Sequence, residues 1–343
     1  MRAWVYASTT PTLEANLSLS TSAPVPSPAP TQALIRVLAA SLNPADYKVP
    51  EIGALARLAI PLPATPGMDF CGVVVTPPST PETETTRLPA GTYVFGRLGT
   101  TSHGSLAEYV VAPANAVCAL PPGVFDAGTL SPADFAALPV AGLTALQAIA
   151  PRVAPGKGDG VFINGGAGGV GTYAIQVAKA LGCRVVVTCS KGKAELCRGL
   201  GADEVVDYTE VDVVEVLKKG GRGFQLVVDN IAAPTGLYKA SEEFLVEGGR
   251  FVQVGGGASV GDVSRLVSRM VVPGWLGGGK RAFEFLVLKQ SVEDLERLAG
   301  WVVEGKVRSA VEDVFEMDKA KEAIVRLKSG RVAGKLVVRI AKE

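Results

Sequence analysis

The segment GVFINGGAGGVGTYAIQVAKALG (Gly160–Gly182) limits the fold of this chain more than any other stretch. An apolar strand-like run, Val161–Ile163, leads into a crowd of glycines, and a helical pattern follows. Gly166, Gly168 and Gly171 match G-x-G-x-x-G, and the next strand-like run, CRVVVTCS, begins a helix's length later. In a strand–helix–strand frame that spacing is a dinucleotide fingerprint. The first glycine permits a tight turn, the second lets the backbone approach a pyrophosphate, and the third lets helix pack close on strand. The N–H groups and dipole of the helix N-terminus favour the anion. The segment predicts a cofactor cradle, with Gly166, Gly168 and Gly171 around the phosphates.

The flanks extend the frame. From about Pro132 onward, apolar strands alternate with helical stretches: CRVVVTCS then KAELCRGLG, DEVVDY then VDVVEVLKKG, FQLVVDN then LYKASEEFLVEGG, and then RFVQVGGG. Such alternation predicts a doubly wound α/β domain whose parallel strands are buried on both faces. FEFLVL (Phe283–Leu288) reads as a further buried strand, followed by two amphipathic helices and a closing strand, AGKLVVRI. The first part of the chain is different. Short apolar runs (RAWVY, ALIRVLAASL, FCGVVV, YVFGRLG, AEYVVAP) alternate with Pro, Ser, Thr and Gly clusters, which predicts a β-rich domain. The Pro-rich segments Ser20–Pro30 and Thr76–Gly91 read as loops within it.

Charge excludes several function classes. Lys plus Arg (34) nearly cancels Asp plus Glu (33), which leaves no basic footprint for nucleic acid or an anionic membrane. No run reaches the roughly 18 apolar residues of a membrane span. The N-terminal MRAWVYASTTP has neither a signal core nor a transit-peptide pattern, so a cytoplasmic location is expected. The five cysteines form no C-x-x-C pair and fit reduced core thiols; with a single histidine, no metal site is expected. His103 reads as a loop-surface residue.

The choice of nicotinamide rests on the end of the second strand. An NAD site places a carboxylate there to accept from the ribose 2′-hydroxyl. Here the run continues SKGK, and the next carboxylate is Glu195. Ser190, Lys191 and Lys193 offer a hydroxyl and two cations to a 2′-phosphate, and the cofactor expected is NADPH.

Seven motifs in order, SLNPADYK, PGMDFCGVV, GSLAEYVV, AGLTAL, INGGAGGVG, LGADEVVDY and AGKLVV, resemble the zinc-free medium-chain dehydrogenase/reductases. That group includes zeta-crystallin-like quinone oxidoreductases and fungal trans-acting enoyl reductases, and WLGGGKRAFEF is similar to the fungal members. The resemblance implies a GroES-like catalytic domain over residues 1–125, completed by 290–343, and a Rossmann domain over 126–289. It also implies roles by position. Asn43, Asp46, Tyr47 and Lys48 would lie near the nicotinamide ribose and substrate, and Thr144 with the Ala167–Val170 turn would hold the pyrophosphate. Ser190, Lys193 and Tyr208 would surround the adenosine phosphate, while Asn230, Gly255 and Lys335 would border the nicotinamide. Where the zinc alcohol dehydrogenases of the superfamily carry Gly-His-Glu, this chain has Gly67-Met68-Asp69. An acceptor already activated by conjugation, a quinone or an α,β-unsaturated carbonyl, therefore fits better than a simple alcohol.

Tyr47 and Lys48 form an ionisable pair able to donate a proton or stabilise an enolate. The alternative is that Tyr47 packs and water donates. Two other roles stay open at this level: an enoyl reductase subunit acting on carrier-bound acyl chains, and an NADPH-binding protein with little turnover. The apolar FEFLVL strand predicts a homodimer joined through it.

Overall fold

Strands that are apolar on both faces need covering on both faces, and the middle of the chain supplies them. The computed structural model describes all residues except 53–57, 80–87, 100–103, 257–259, 273–277 and 342–343. His103 and most of WLGGG therefore lie outside the described residues. In chain order the described strands are β1 (Ala3–Val5), β2 (Ser18–Ser20), β3 (Gln32–Leu42), β4 (Asp69–Thr76), β5 (Tyr93–Arg97), β6 (Tyr109–Pro113), β7 (Val117–Ala119) and β8 (Gly160–Asn164). They continue with β9 (Arg184–Cys189), β10 (Glu204–Asp207), β11 (Phe224–Asp229), β12 (Leu245–Gln253), β13 (Ala282–Phe285), β14 (Val311–Glu316) and β15 (Lys335–Arg339). The chain divides into two compact units, Met1–Leu143 with Gln290–Glu343, and Thr144–Lys289.

The second unit is a parallel sheet, ordered β10-β9-β8-β11-β12-β13 among the described residues. Val161, Phe162 and Ile163 of β8 and Leu226, Val227 and Val228 of β11 are fully buried, as strands covered on both faces must be. The chain starts in the middle at β8, runs outward through β9 and β10, then returns to place β11 on β8's other side. This is the Rossmann order, and the reversal between β8 and β11 opens a ligand crevice at the carboxyl ends of those strands. Two elements differ from the sequence reading. The helix at LYKASEEF ends at Phe244, and Leu245 already pairs with Phe224, so LVEGG belongs to β12. FEFLVL is not a buried strand: β13 stops at Phe285 on the sheet's edge, its Phe283–Phe285 are only half-buried, and Val287 is exposed.

The first unit is GroES-like and mainly antiparallel, ordered β14-β15-β3-β4-β5-β7, with β6 also on β3 and a separate β1–β2 pair. Its core gathers Ile35, Val37, Phe70, Val74, Val94 and Leu106. β15 comes from the far end of the chain and pairs with β3, Leu336 opposite Leu42, so Lys335 is set beside Leu42 and Asn43. Residues 126–143, which the sequence reading assigned to the Rossmann domain, fall in this unit. The reason is local: a capping box of Ser131 and Asp134 starts the helix Pro132–Ala136. Its fully buried Phe135 then packs on Phe95, ring centroids 5.6 Å apart. All five cysteines are buried and unbridged. No helix among the described residues is long and apolar enough to cross a membrane.

Candidate active site

The glycine turn after β8 behaves as a cradle. A Cβ on Gly171 would stand 2.1 Å from the Gly165 carbonyl oxygen, and one on Gly166 2.7 Å from Val187 Cβ, so neither position tolerates a side chain without movement. At Gly168 the nearest atom is 3.8 Å away. The turn is closed where helix and strand meet and open where an anion would approach. Gly168 caps the helix Gly169–Ala180 with no side-chain hydrogen bond, so the first-turn N–H groups keep their capacity for a ligand. Asn230 Oδ1 and Nδ2 are buried without a protein partner, a further sign of a polar guest. These features fit a dinucleotide.

A polar network fixes the cradle from below. Asn164 ends β8 and donates to Asp229 Oδ1 at the end of β11, 2.8 Å. Thr188 on β9 donates to Asn164 Oδ1 at 2.7 Å and accepts from Gly165 N at 2.8 Å. Asp229 Oδ1 also accepts from Ile231 and Ala232 amides, the latter residue held at φ 63°. Burial pushes the Asp229 carboxyl above its ordinary range, against its hydrogen bonds to Asn164 and the two amides and the charge of Arg269 3.8 Å away. Sequence reading missed this network. Its signal was one polar residue among apolar neighbours near the carboxyl end of each of three adjacent strands.

At the adenosine end, Ser190 follows β9 and caps the short turn Lys191–Lys193. Tyr208 follows β10 and is exposed. The sequence places no carboxylate at the end of β9, but parallel pairing sets Asp207 opposite Cys189, and Glu210 reaches Lys191 at 3.2 Å. Both partners of that ion pair are largely exposed, so Lys191 is only weakly neutralised. Gly255, at φ +68°, lies past β12, its carbonyl accepting from Gln253 Nε2. Thr144 is buried in the helix Pro139–Ile149.

In the first unit, Asn43, Asp46, Asp69 and Lys335 form a buried polar cluster. Lys335 Nζ donates to Leu42 O at 3.0 Å and Asn43 Oδ1 at 2.6 Å, and lies 3.6 Å from Asp69 Oδ2. Asn43 donates through Nδ2 to Asp69 at 2.8 Å and through its backbone N–H to Asp46 Oδ2 at 2.6 Å. Val140 N completes Asp69 at 3.1 Å. Burial raises the Asp69 carboxyl against the pull of Lys335, and lowers Lys335 against the pull of Asp69. Asp69 escaped the sequence reading although a carboxylate opening the apolar run FCGVVV was its signal. Tyr47 and Lys48 close the short helix Ala45–Lys48. The Tyr47 ring packs against the core, and Lys328 Nζ, bonded to Glu14 and Glu51, stands 5.3 Å above its centroid. Burial, the leading cause, raises the Tyr47 phenol.

With this geometry in place, similarity to known proteins becomes specific. Residues 29–122 match the alcohol dehydrogenase GroES-like domain, and residues 200–338 match a family described as zinc-binding dehydrogenase. The chain is 45% identical to the trans-enoyl reductase pgmF of Aspergillus terreus, covering 99% of this chain and 96% of that protein. It is 30% identical to a chloroplastic quinone-oxidoreductase homolog of Spinacia oleracea, over 90% of this chain and 89% of that one. The quinone oxidoreductase structure from Coxiella burnetii covers 99% of both chains at 31% identity and a TM-score of 0.83. The chain belongs to the medium-chain dehydrogenase/reductase superfamily. Within it, the chain is an oxidoreductase of the quinone and enoyl reductase group, acting on acceptors of that type. Among the described residues no group of three or more His, Cys, Asp or Glu could hold a metal ion.

Proposed function

We propose that this oxidoreductase takes its hydride from NADPH and delivers it to a conjugated carbonyl, a quinone or an enone. The observation that carries the cofactor choice is the loop after β9, where Ser190, Lys191 and Lys193 follow the strand directly and no carboxylate ends it. The nicotinamide supplies a hydride when bound. The chain's residues hold and orient: the Gly166–Gly171 turn takes the pyrophosphate, Thr144 assists it, and Ser190, Lys191, Lys193 and Tyr208 surround the adenosine phosphate. By the resemblance, Asn230, Gly255, Asn43 and Lys335 would border the nicotinamide, with Tyr47 and Lys48 toward the acceptor. Charge-assisted contacts to an exposed phosphate are each worth about 1–3 kcal/mol, enough in pairs for a hundredfold preference or so. Lys193→Glu should weaken NADPH binding by roughly tenfold or more and leave NADH binding nearly unchanged, read by fluorescence titration. Wild-type protein that binds both cofactors equally would refute the assignment.

A second reading keeps the chemistry and changes the carrier: the acceptor is an acyl chain borne by a synthase. The 45% identity to a trans-enoyl reductase supports it. Faster turnover of a carrier-bound enoyl thioester than of the same free enone would favour that reading. We also infer a homodimer, joined along the outer edge of β13, in a cytoplasmic protein without membrane or nucleic-acid partners.

A further inference from the structure

Asp46 is 5% exposed and sits in the short helix Ala45–Lys48. Its Oδ2 accepts from the Asn43 amide, whereas its buried Oδ1 has no hydrogen-bond partner. Asp46, Tyr6, Thr65, Pro50 and Met68 help to line a cavity of about 20 Å³. A polar cavity of that size has room for one water molecule.

The charges facing this carboxyl come from several elements. Lys335 on β15 spends hydrogens on Leu42 and Asn43 and leans on Asp69, so it makes no hydrogen bond to Asp46. Asp69 on β4 adds repulsion and is itself offset by Lys335 and by Arg97 on β5. Burial first, then the Asp69 charge, push the Asp46 carboxyl up to about 7, against the Asn43 and Met68 amides and the charge of Lys335. Tyr6 is pushed up to about 12 by burial and by Asp46, so its hydroxyl keeps its proton. A buried carboxylate oxygen without a well-formed hydrogen bond is costly, and protonation relieves that cost if the new O–H finds an acceptor.

We propose that Asp46, with one water in this cavity, is the proton supply for the reduction. The proposal rests on the hydride-transfer reading above. The acceptor carbon gains a hydride with its two electrons, and the displaced π pair settles on the conjugated oxygen. Water gives that anion a proton and takes the Asp46 Oδ1 proton in exchange. Asp46 is left as a carboxylate and regains a proton from solvent, so the net consumption is one hydride and one proton. In this scheme Asp46 touches neither acceptor nor cofactor; it is a positioning residue that stores the proton.

Asp46→Asn keeps the size and the acceptor for the Asn43 amide but removes the proton. Its kcat should fall about a hundredfold while NADPH affinity stays within about twofold. Wild-type kcat should decline as pH rises through about 7, because the protonated form is the donor, and the variant's should be flat. Asp46→Glu restores an ionisable acid and should bring the pH dependence back. Infrared spectra of the cofactor-free protein give a readout without turnover: a carboxylic-acid C=O band that fades as pH rises through about 7 and is missing in Asp46→Asn. Wild-type turnover and pH profile in Asp46→Asn, or no such band, would overturn the proton role. Failure of every enone and quinone to support NADPH oxidation by the wild-type protein would overturn the hydride reading as well, which separates the two failures.

Discussion

Gly168 and Gly171 are three residues apart in one turn, yet a methyl group added at each meets opposite conditions. At Gly171 it collides with the Gly165 carbonyl, so Gly171→Ala should cost about 1–3 kcal/mol of stability and also weaken NADPH binding. At Gly168 it enters open space, so Gly168→Ala should change stability by no more than about 1 kcal/mol while NADPH affinity falls. Thermal melts and fluorescence titration on both variants check this, and a Gly168→Ala protein binding NADPH like wild type would move the pyrophosphate elsewhere. The glycines were legible in the sequence because their spacing along one continuous segment encodes the turn. Asp69 and the unpartnered oxygen of Asp46 were not. Their environment depends on β15 pairing with β3 across almost 300 residues, and no local pattern records which carboxylate that pairing leaves without a cation.

Among the elements, the alternation of strands and helices was read correctly in the Rossmann half because each unit there is local. The burial and length of the edge strand were misread for a definite reason: a short apolar run looks the same whether it is covered on both faces or lies half-exposed at the rim. What ties β13 down is a residue that sequence reading passed over. Arg152 donates through Nε to Glu284 at 3.0 Å, with a second bond from Nη2 to the same carboxylate. Its Nη1 donates to the carbonyls of Gln147 and Ala148 at 2.6 and 3.0 Å, satisfying groups at the end of the helix Pro139–Ile149. Arg152 is only 10% exposed, so its loss strands those carbonyls and a half-exposed carboxylate together. Arg152→Ala should therefore cost about 1–3 kcal/mol and speed hydrogen exchange of the β13 amides. Glu284→Gln, which keeps the helix-end contacts, should cost less than half as much. Equal costs for the two would show that the helix-end contacts contribute nothing.

For the whole molecule the open question is what covers the outer side of that edge. β13 pairs with β12 on one side, and among the described residues no strand lies on the other. An uncovered edge with apolar neighbours invites association, and a closed two-fold pairing is the arrangement that ends it without forming a filament. Val287 just past the strand is 70% exposed, and Val263, Val267 and Met270 of the helix Val260–Val271 are exposed too. No charged residue interrupts Phe285–Val287, so nothing in that stretch opposes a second copy. The mass in solution at micromolar concentration should be twice the 35.4 kDa of one chain. Val287→Lys places a like charge from each copy near the proposed joint and removes apolar area, so it should shift the protein toward monomer while leaving its melting cooperative. Sedimentation equilibrium on both proteins checks this. A wild-type monomer would remove the dimer, and a dimer indifferent to Val287→Lys would place its interface on another face.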